Sequence, residues 1–108
     1  IIIYGFSQGV SVAMRWLLHS GMRCDKLIIN AGKIPHEIKP NAYEHFGATT
    51  EVHHIVGQND PYLNPAVEAI ELNKIAQLFQ HQKVFFHKPN LDHSVAVDVL
   101  KSISTKKS

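Results

Sequence analysis

The chain has 108 residues, 44% hydrophobic and 19% charged, with a formal net charge of +2. That composition excludes disorder, a collagen repeat and a disulfide scaffold, and the length suits a single domain. The charge is too small to argue for a nucleic-acid partner, and part of it sits in the tail at Lys101, Lys106 and Lys107, which reads as a solvated chain end.

The predicted elements alternate from the first residue. Ile1–Tyr4 is a short, continuous, β-branched run, the pattern of a strand covered on both faces in a parallel sheet. From about Gln8 to Ser20 the period becomes helical. Val12, Trp16 and His19 fall on one side with Ala13, Met14 and Leu17 beside them, and Gly21 stands where a helix C′ residue is expected. Lys26–Asn30 reads as a second buried strand. Ala31–Thr50 carries Gly32, Pro35, Pro40 and Gly47, with one helical turn expected around Ala42–Phe46; a long irregular stretch of this kind often lines a site.

Glu51–Val56 is a third strand, closed by Gly57. Asn64-Pro65 supplies an N-cap and an N1 proline for a helix running to about Gln80. Lys83–Lys88 is a fourth strand, and Val95, Val97, Val99, Leu100 and Ile103 mark a last helix fading into Ser104–Ser108. Strands alternating with helices predict an α/β fold, a parallel sheet with flanking helices.

Cys24 is the sole cysteine, so no intrachain disulfide forms and a reducing compartment, the cytoplasm, is the default expectation. No apolar run approaches the roughly 18–20 residues that a membrane span needs. Ile1 opens the chain inside an apolar run, which reads as one partial domain over residues 1–108 with its upstream half absent.

Gly5-Phe6-Ser7-Gln8-Gly9 sits at the first strand-to-helix junction. The spacing G-x-S-x-G fits a nucleophile elbow, a sharp turn that lifts a serine hydroxyl above the sheet. Gly5 and Gly9 are expected where side chains would collide with the neighbouring strand and helix. The plainer alternative is a βα turn with an incidental serine. A serine hydroxyl needs a base to take its proton and an acid to orient that base, and in this architecture the chain order is serine, acid, histidine.

Asp60 follows the third strand in Gly57-Gln58-Asn59-Asp60-Pro61-Tyr62 and is the expected acid, although an Asp-Pro turn is common in its own right. Of eight histidines, His93 is the one in the loop between the fourth strand and the last helix, so it is the expected base. Asp92 lies beside it, where a turn or cap role is the better reading. His53 and His54 alternate across a strand and cannot share one metal, and no other cluster has ligand spacing; no metal or cofactor is expected.

With Ser7, Asp60 and His93 in this order, the chain resembles the C-terminal half of an α/β-hydrolase of the phospholipase/carboxylesterase family, the group of serine carboxylesterases and acyl-protein thioesterases. The elbow, Gly57-x-x-Asp60 with Pro65 soon after, and His93 before the last helix carry the likeness over nearly the whole chain. Three details depart from the family's pattern. Val10 replaces a further glycine, the stretch from Asp60 to Pro65 is one residue longer, and Asn90-Leu91-Asp92-His93 lacks a nearby glycine.

The resemblance implies hydrolysis of a small carboxylic ester or thioester, with half of the oxyanion hole at the Gln8 N–H. Phe6, Ile34, Tyr62 and Leu63 flank the expected site as pocket residues or as packing. It also implies that the other oxyanion donor and a substrate wall belong to the upstream half, so these 108 residues alone are expected to be weak or inactive; one lost donor costs roughly 10²–10³ in rate. The strand at Ile1–Tyr4 would then be an exposed edge open to self-association. Two other readings share these residues: a non-catalytic α/β domain or degraded hydrolase acting as a binding module, and a dienelactone-hydrolase-like or peptidase-like relative.

Overall fold

A computed structural model describes residues 1–90, 92, 93 and 95–105. Among them the elements run β1 (Ile2–Phe6), α1 (Gln8–Ser20), β2 (Lys26–Asn30), β3 (Glu51–Ile55), α2 (Pro65–Leu78), β4 (Lys83–His87) and α3 (Val97–Thr105). The tail at Lys106-Lys107 lies outside the described residues. The four strands form one parallel sheet in the order β1-β2-β3-β4, with Ile2 opposite Lys26, Lys26 opposite Glu51 and Glu51 opposite Lys83. The α/β class and the element order match the expectation.

Local chemistry sets the helix ends. Gly21 closes α1 in the left-handed region at φ 68°, where glycine carries no Cβ penalty. Asn64 Oδ1 accepts the Val67 N–H at 3.0 Å and Pro65 takes the first helical position, so α2 starts where its sequence says it should. It ends at Leu78 rather than Gln80, because Phe79 leaves helical geometry (ψ 52°) after donating its N–H to Ile75 O. Residues 42–46 form consecutive turns rather than a helical turn.

The strand alternation divides the core between two faces. Leu27, Ile29 and Val52 pack with Val10, Met14 and Leu17 of α1 and with Ile75 and Leu78 of α2. Ile28 and Ile55 pack on the other face with Ala96 and Ile103. Two successive crossovers stepping the same way along the sheet put their helices on one side, so the last helix is left to cover the other. The irregular stretch after β2 contributes Tyr43, whose hydroxyl donates to Met14 O at 2.7 Å and whose ring stacks on Phe79 at 5.4 Å.

Val12 and Trp16 face outward, and the buried stripe of α1 is Val10, Met14 and Leu17. The helix carries two apolar stripes and this sheet covers one of them. β1 is the edge of the described sheet with Ile2 and Tyr4 exposed, the exposed edge expected for Ile1–Tyr4 in this stretch of chain. Among the described residues no helix is long and apolar enough to cross a membrane.

His54 is buried on the sheet, and among the described residues its Nε2 has no hydrogen-bond partner. Burial pushes its pKa down to about 4, with Glu68 pulling upward and His87 pushing further down. Folding therefore holds His54 neutral, whereas the unfolded chain protonates it near the ordinary 6.5. Stability is full above that value and falls as pH drops toward 4, by about 3 kcal/mol from this group. Urea midpoints at pH 7.5 and 4.5 are expected to differ less in His54→Leu than in the wild type; equal differences would refute the assignment.

Candidate active site

The loops that follow the C-terminal ends of β1, β2, β3 and β4 meet at one edge of the sheet, where parallel α/β sheets open their crevices. Ser7 occupies the turn between β1 and α1 with φ 55°, a backbone region costly for any residue with a Cβ. Its N–H donates to Asn30 O at 2.9 Å, and its carbonyl accepts the Val10 N–H at 3.2 Å. A serine at an N-cap ordinarily spends its hydroxyl on the first helical turn. Here it makes no cap bond, and Oγ lies 2.9 Å from His93 Nε2.

His93 Nδ1 is 2.8 Å from Asp60 Oδ2. A carboxylate only accepts, so Nδ1 donates and Nε2 is left to accept from the Ser7 hydroxyl. Asp60 is buried at 5% exposure, and its other oxygen, Oδ1, accepts the Tyr62 N–H at 2.9 Å. The loop carrying Asp60 is tied to the segment leading to His93: Gln58 N–H donates to Pro89 O at 2.8 Å, and Asn59 Nδ2 to Asn90 Oδ1 at 2.9 Å. The His93 ring lies between Phe6, at 5.3 Å, and Tyr62, at 4.8 Å between centroids.

A cleft of about 520 Å³ opens over this group. Gln8 and Ser11 line it from the start of α1, and Tyr62 and Leu63 from the loop after Asp60. As the opening residue of α1, Gln8 has one of the N–H groups that lack an intrahelical acceptor, so it can donate to an incoming oxygen. Cys24 is buried elsewhere, and burial raises its thiol to about 11. Among the described residues no group of three or more His, Cys, Asp or Glu is arranged to hold a metal ion.

The sequence-based site is altered in three places. Ile34 is not a wall of this cleft; it lies in the main core, pulled inward by a 2.8 Å bond from its N–H to the buried Glu71 Oε1. Phe6 backs the His93 ring rather than lining the cleft. Gly5 is sterically required, since a Cβ there would stand 2.7 Å from Val10 Cα, whereas a Cβ at Gly9 would meet nothing within 4 Å.

Sequence reasoning marked the irregular stretch from Ala31 as one that could line a site, but named none of the wall residues Ala31, Gly32 and Lys33 among the site residues. Gly32 presses on the turn at Ser7: a Cβ on it would lie 2.4 Å from the Ser7 carbonyl oxygen and 2.3 Å from Val10 Cγ2. Ala31 shares the positive φ of Ser7, at 55°. The position of these residues directly after a predicted parallel strand was the available signal.

The model of the phospholipase/carboxylesterase family matches residues 1–106. No curated protein matches the chain. Solved structures share its fold, among them the following three. A Bacillus cereus carboxylesterase is 19% identical at a TM-score of 0.68, over 95% of this chain and 46% of its own. The protein Atu2452 of unknown function from Agrobacterium tumefaciens str. C58 is 21% identical at 0.66, over 94% and 48%. YahD, solved with malic acid, is 17% identical at 0.60, over 98% and 51%. The chain thus spans about half the length of each of these structures.

Proposed function

The chain belongs to the phospholipase/carboxylesterase family, and from that premise we propose that its cleft hydrolyses carboxylic esters or thioesters with Ser7 as nucleophile, His93 as general base and acid, and Asp60 as the acid that orients His93. The carrying observation is the unbroken chain from Ser7 Oγ to His93 Nε2, at 2.9 Å, and from His93 Nδ1 to Asp60 Oδ2, at 2.8 Å. As Oγ adds to the acyl carbon, its proton passes to His93 Nε2, and the Asp60 carboxylate stabilises the imidazolium. The carbonyl oxygen becomes an oxyanion that accepts from the Gln8 N–H. Collapse breaks the bond to the leaving alcohol or thiol, which takes the proton from His93. Water then attacks the Ser7 acyl ester by the same steps in reverse order of roles.

The strained φ of Ser7 and its unused capping capacity support this reading, because both keep the hydroxyl at the cleft rather than in the helix. A fluorophosphonate probe incubated with the full-length protein is expected to phosphonylate Ser7, identified by peptide mass. Labelling confined to another residue, or no labelling of the folded full-length protein, would refute the assignment.

A further inference from the structure

We infer that the cleft selects esters carrying a carboxylate, and that Lys33 is the residue that recognises it. The inference deepens the proposed ester hydrolysis and rests on that reading for its chemistry. Lys33 lines the cleft that holds Ser7 and His93, and among the described residues no Asp or Glu lines it. Among the described residues Lys33 forms no ion pair, in contrast to Arg15, Lys74 and Lys88. The first turn of α1, on the same cleft, carries no acidic residue, and Ser11 lines the cleft beside it. The described lining therefore offers a cation and hydroxyl donors to an anion, with no carboxylate among these residues to repel one.

The main chain at Lys33 is held on both sides. Before it, Gly32 is pressed against the Ser7 carbonyl and Val10. After it, α2 grips both backbone groups of Ile34: Glu71 Oε1 accepts the N–H at 2.8 Å, and Lys74 Nζ donates to the C=O at 3.3 Å. Lys74 Nζ also lies 3.2 Å from Glu71 Oε2, and Glu71 is only 2% exposed. Oε1 thus holds the Ile34 N–H, while the buried Oε2 faces the Lys74 ammonium at ion-pair distance but, among the described residues, accepts no hydrogen bond. Moving Ile34 would leave both oxygens without a hydrogen bond, which is costly. Lys33 is thereby a cation of fixed origin beside the reacting serine, rather than a lysine on a free loop. The substrate class this fits is the half-ester of a short dicarboxylic acid, in which the free carboxylate meets Lys33 while the ester carbonyl faces Ser7.

The test separates binding from turnover. In the Ser7→Ala protein, monomethyl succinate and its neutral isostere methyl levulinate are titrated by NMR. The half-ester is expected to bind about tenfold more tightly, the effect of one charge-assisted contact at a partly exposed site. Lys33→Met should abolish that preference, Lys33→Arg should keep it, and Lys33→Glu should reverse it. Equal affinities in the Ser7→Ala protein, or a preference that survives Lys33→Met, would overturn the inference. Turnover of the two esters by the protein with Ser7 intact reports on the hydrolytic reading alone. A retained binding preference without turnover by the full-length protein would refute the role of Ser7 and leave that of Lys33 standing.

Discussion

In the full-length protein Asp60→Asn is expected to lower kcat for p-nitrophenyl ester hydrolysis by about 10⁴-fold, the scale on which a histidine base fails when held in the wrong tautomer. The geometry says why an amide of nearly the same shape should do this. Asp60 uses Oδ1 to accept the Tyr62 N–H and Oδ2 to accept from His93 Nδ1. An asparagine keeps the backbone bond only by turning its oxygen toward Tyr62, and its NH₂ then faces His93. Two donors cannot meet, so Nδ1 becomes the acceptor and Nε2 carries the proton. Nε2 then donates to Ser7 Oγ and has no lone pair with which to take the hydroxyl proton. Asp92→Asn is the control, because that carboxylate is exposed and its side chain has no described bond to His93. Initial rates with circular dichroism on both variants decide the matter: a loss below tenfold at Asp60, or a comparable loss at Asp92, contradicts the assigned roles.

Gly32→Ala is expected to destabilise the protein by about 3 kcal/mol, at the upper end of what overpacking does. The added Cβ would stand 2.3 Å from Val10 Cγ2 and 2.4 Å from the Ser7 carbonyl oxygen. Val10 could rotate, but the Ser7 carbonyl is backbone. It accepts the Val10 N–H, and Ser7 is itself tied to Asn30 O at 2.9 Å. Relief would have to move the turn that carries the hydroxyl, so residual activity in the folded fraction should fall as well. Gly9→Ala provides the contrast. Its Cβ meets nothing within 4 Å, and alanine in place of glycine inside α1 should be neutral or stabilising by up to about 1 kcal/mol. Thermal denaturation that ranks Gly9→Ala as the worse of the two would refute this account of the turn.

Much of the site was legible because its parts lie at predictable points of a βα pattern. Ser7, Asp60 and His93 each follow a strand that periodicity identifies, and Asn64-Pro65 marks where α2 begins. Other features carry no local signal. Glu71 reads in sequence as an ordinary residue of a helix, yet it is buried and holds Ile34 from 37 positions away. Ile34, like Tyr62 and Leu63, read as either a pocket residue or packing, and its side chain lies in the main core. Gly5 and Gly9 look alike in the motif, but only Gly5 has a backbone pressed against it.

The amino-acid sequence by itself determined the order of strands and helices, the parallel α/β class and the three strand ends on which Ser7, Asp60 and His93 sit. Those follow from apolar period, capping residues and turn chemistry, which act between near neighbours. Only the tertiary structure decided which stripe of α1 meets the sheet, which glycine is pressed against the serine turn, and that Lys33 rather than Ile34 walls the cleft. Each of these depends on contacts between segments distant in the chain, where the outcome is set by how the layers pack and not by the residues' own preferences.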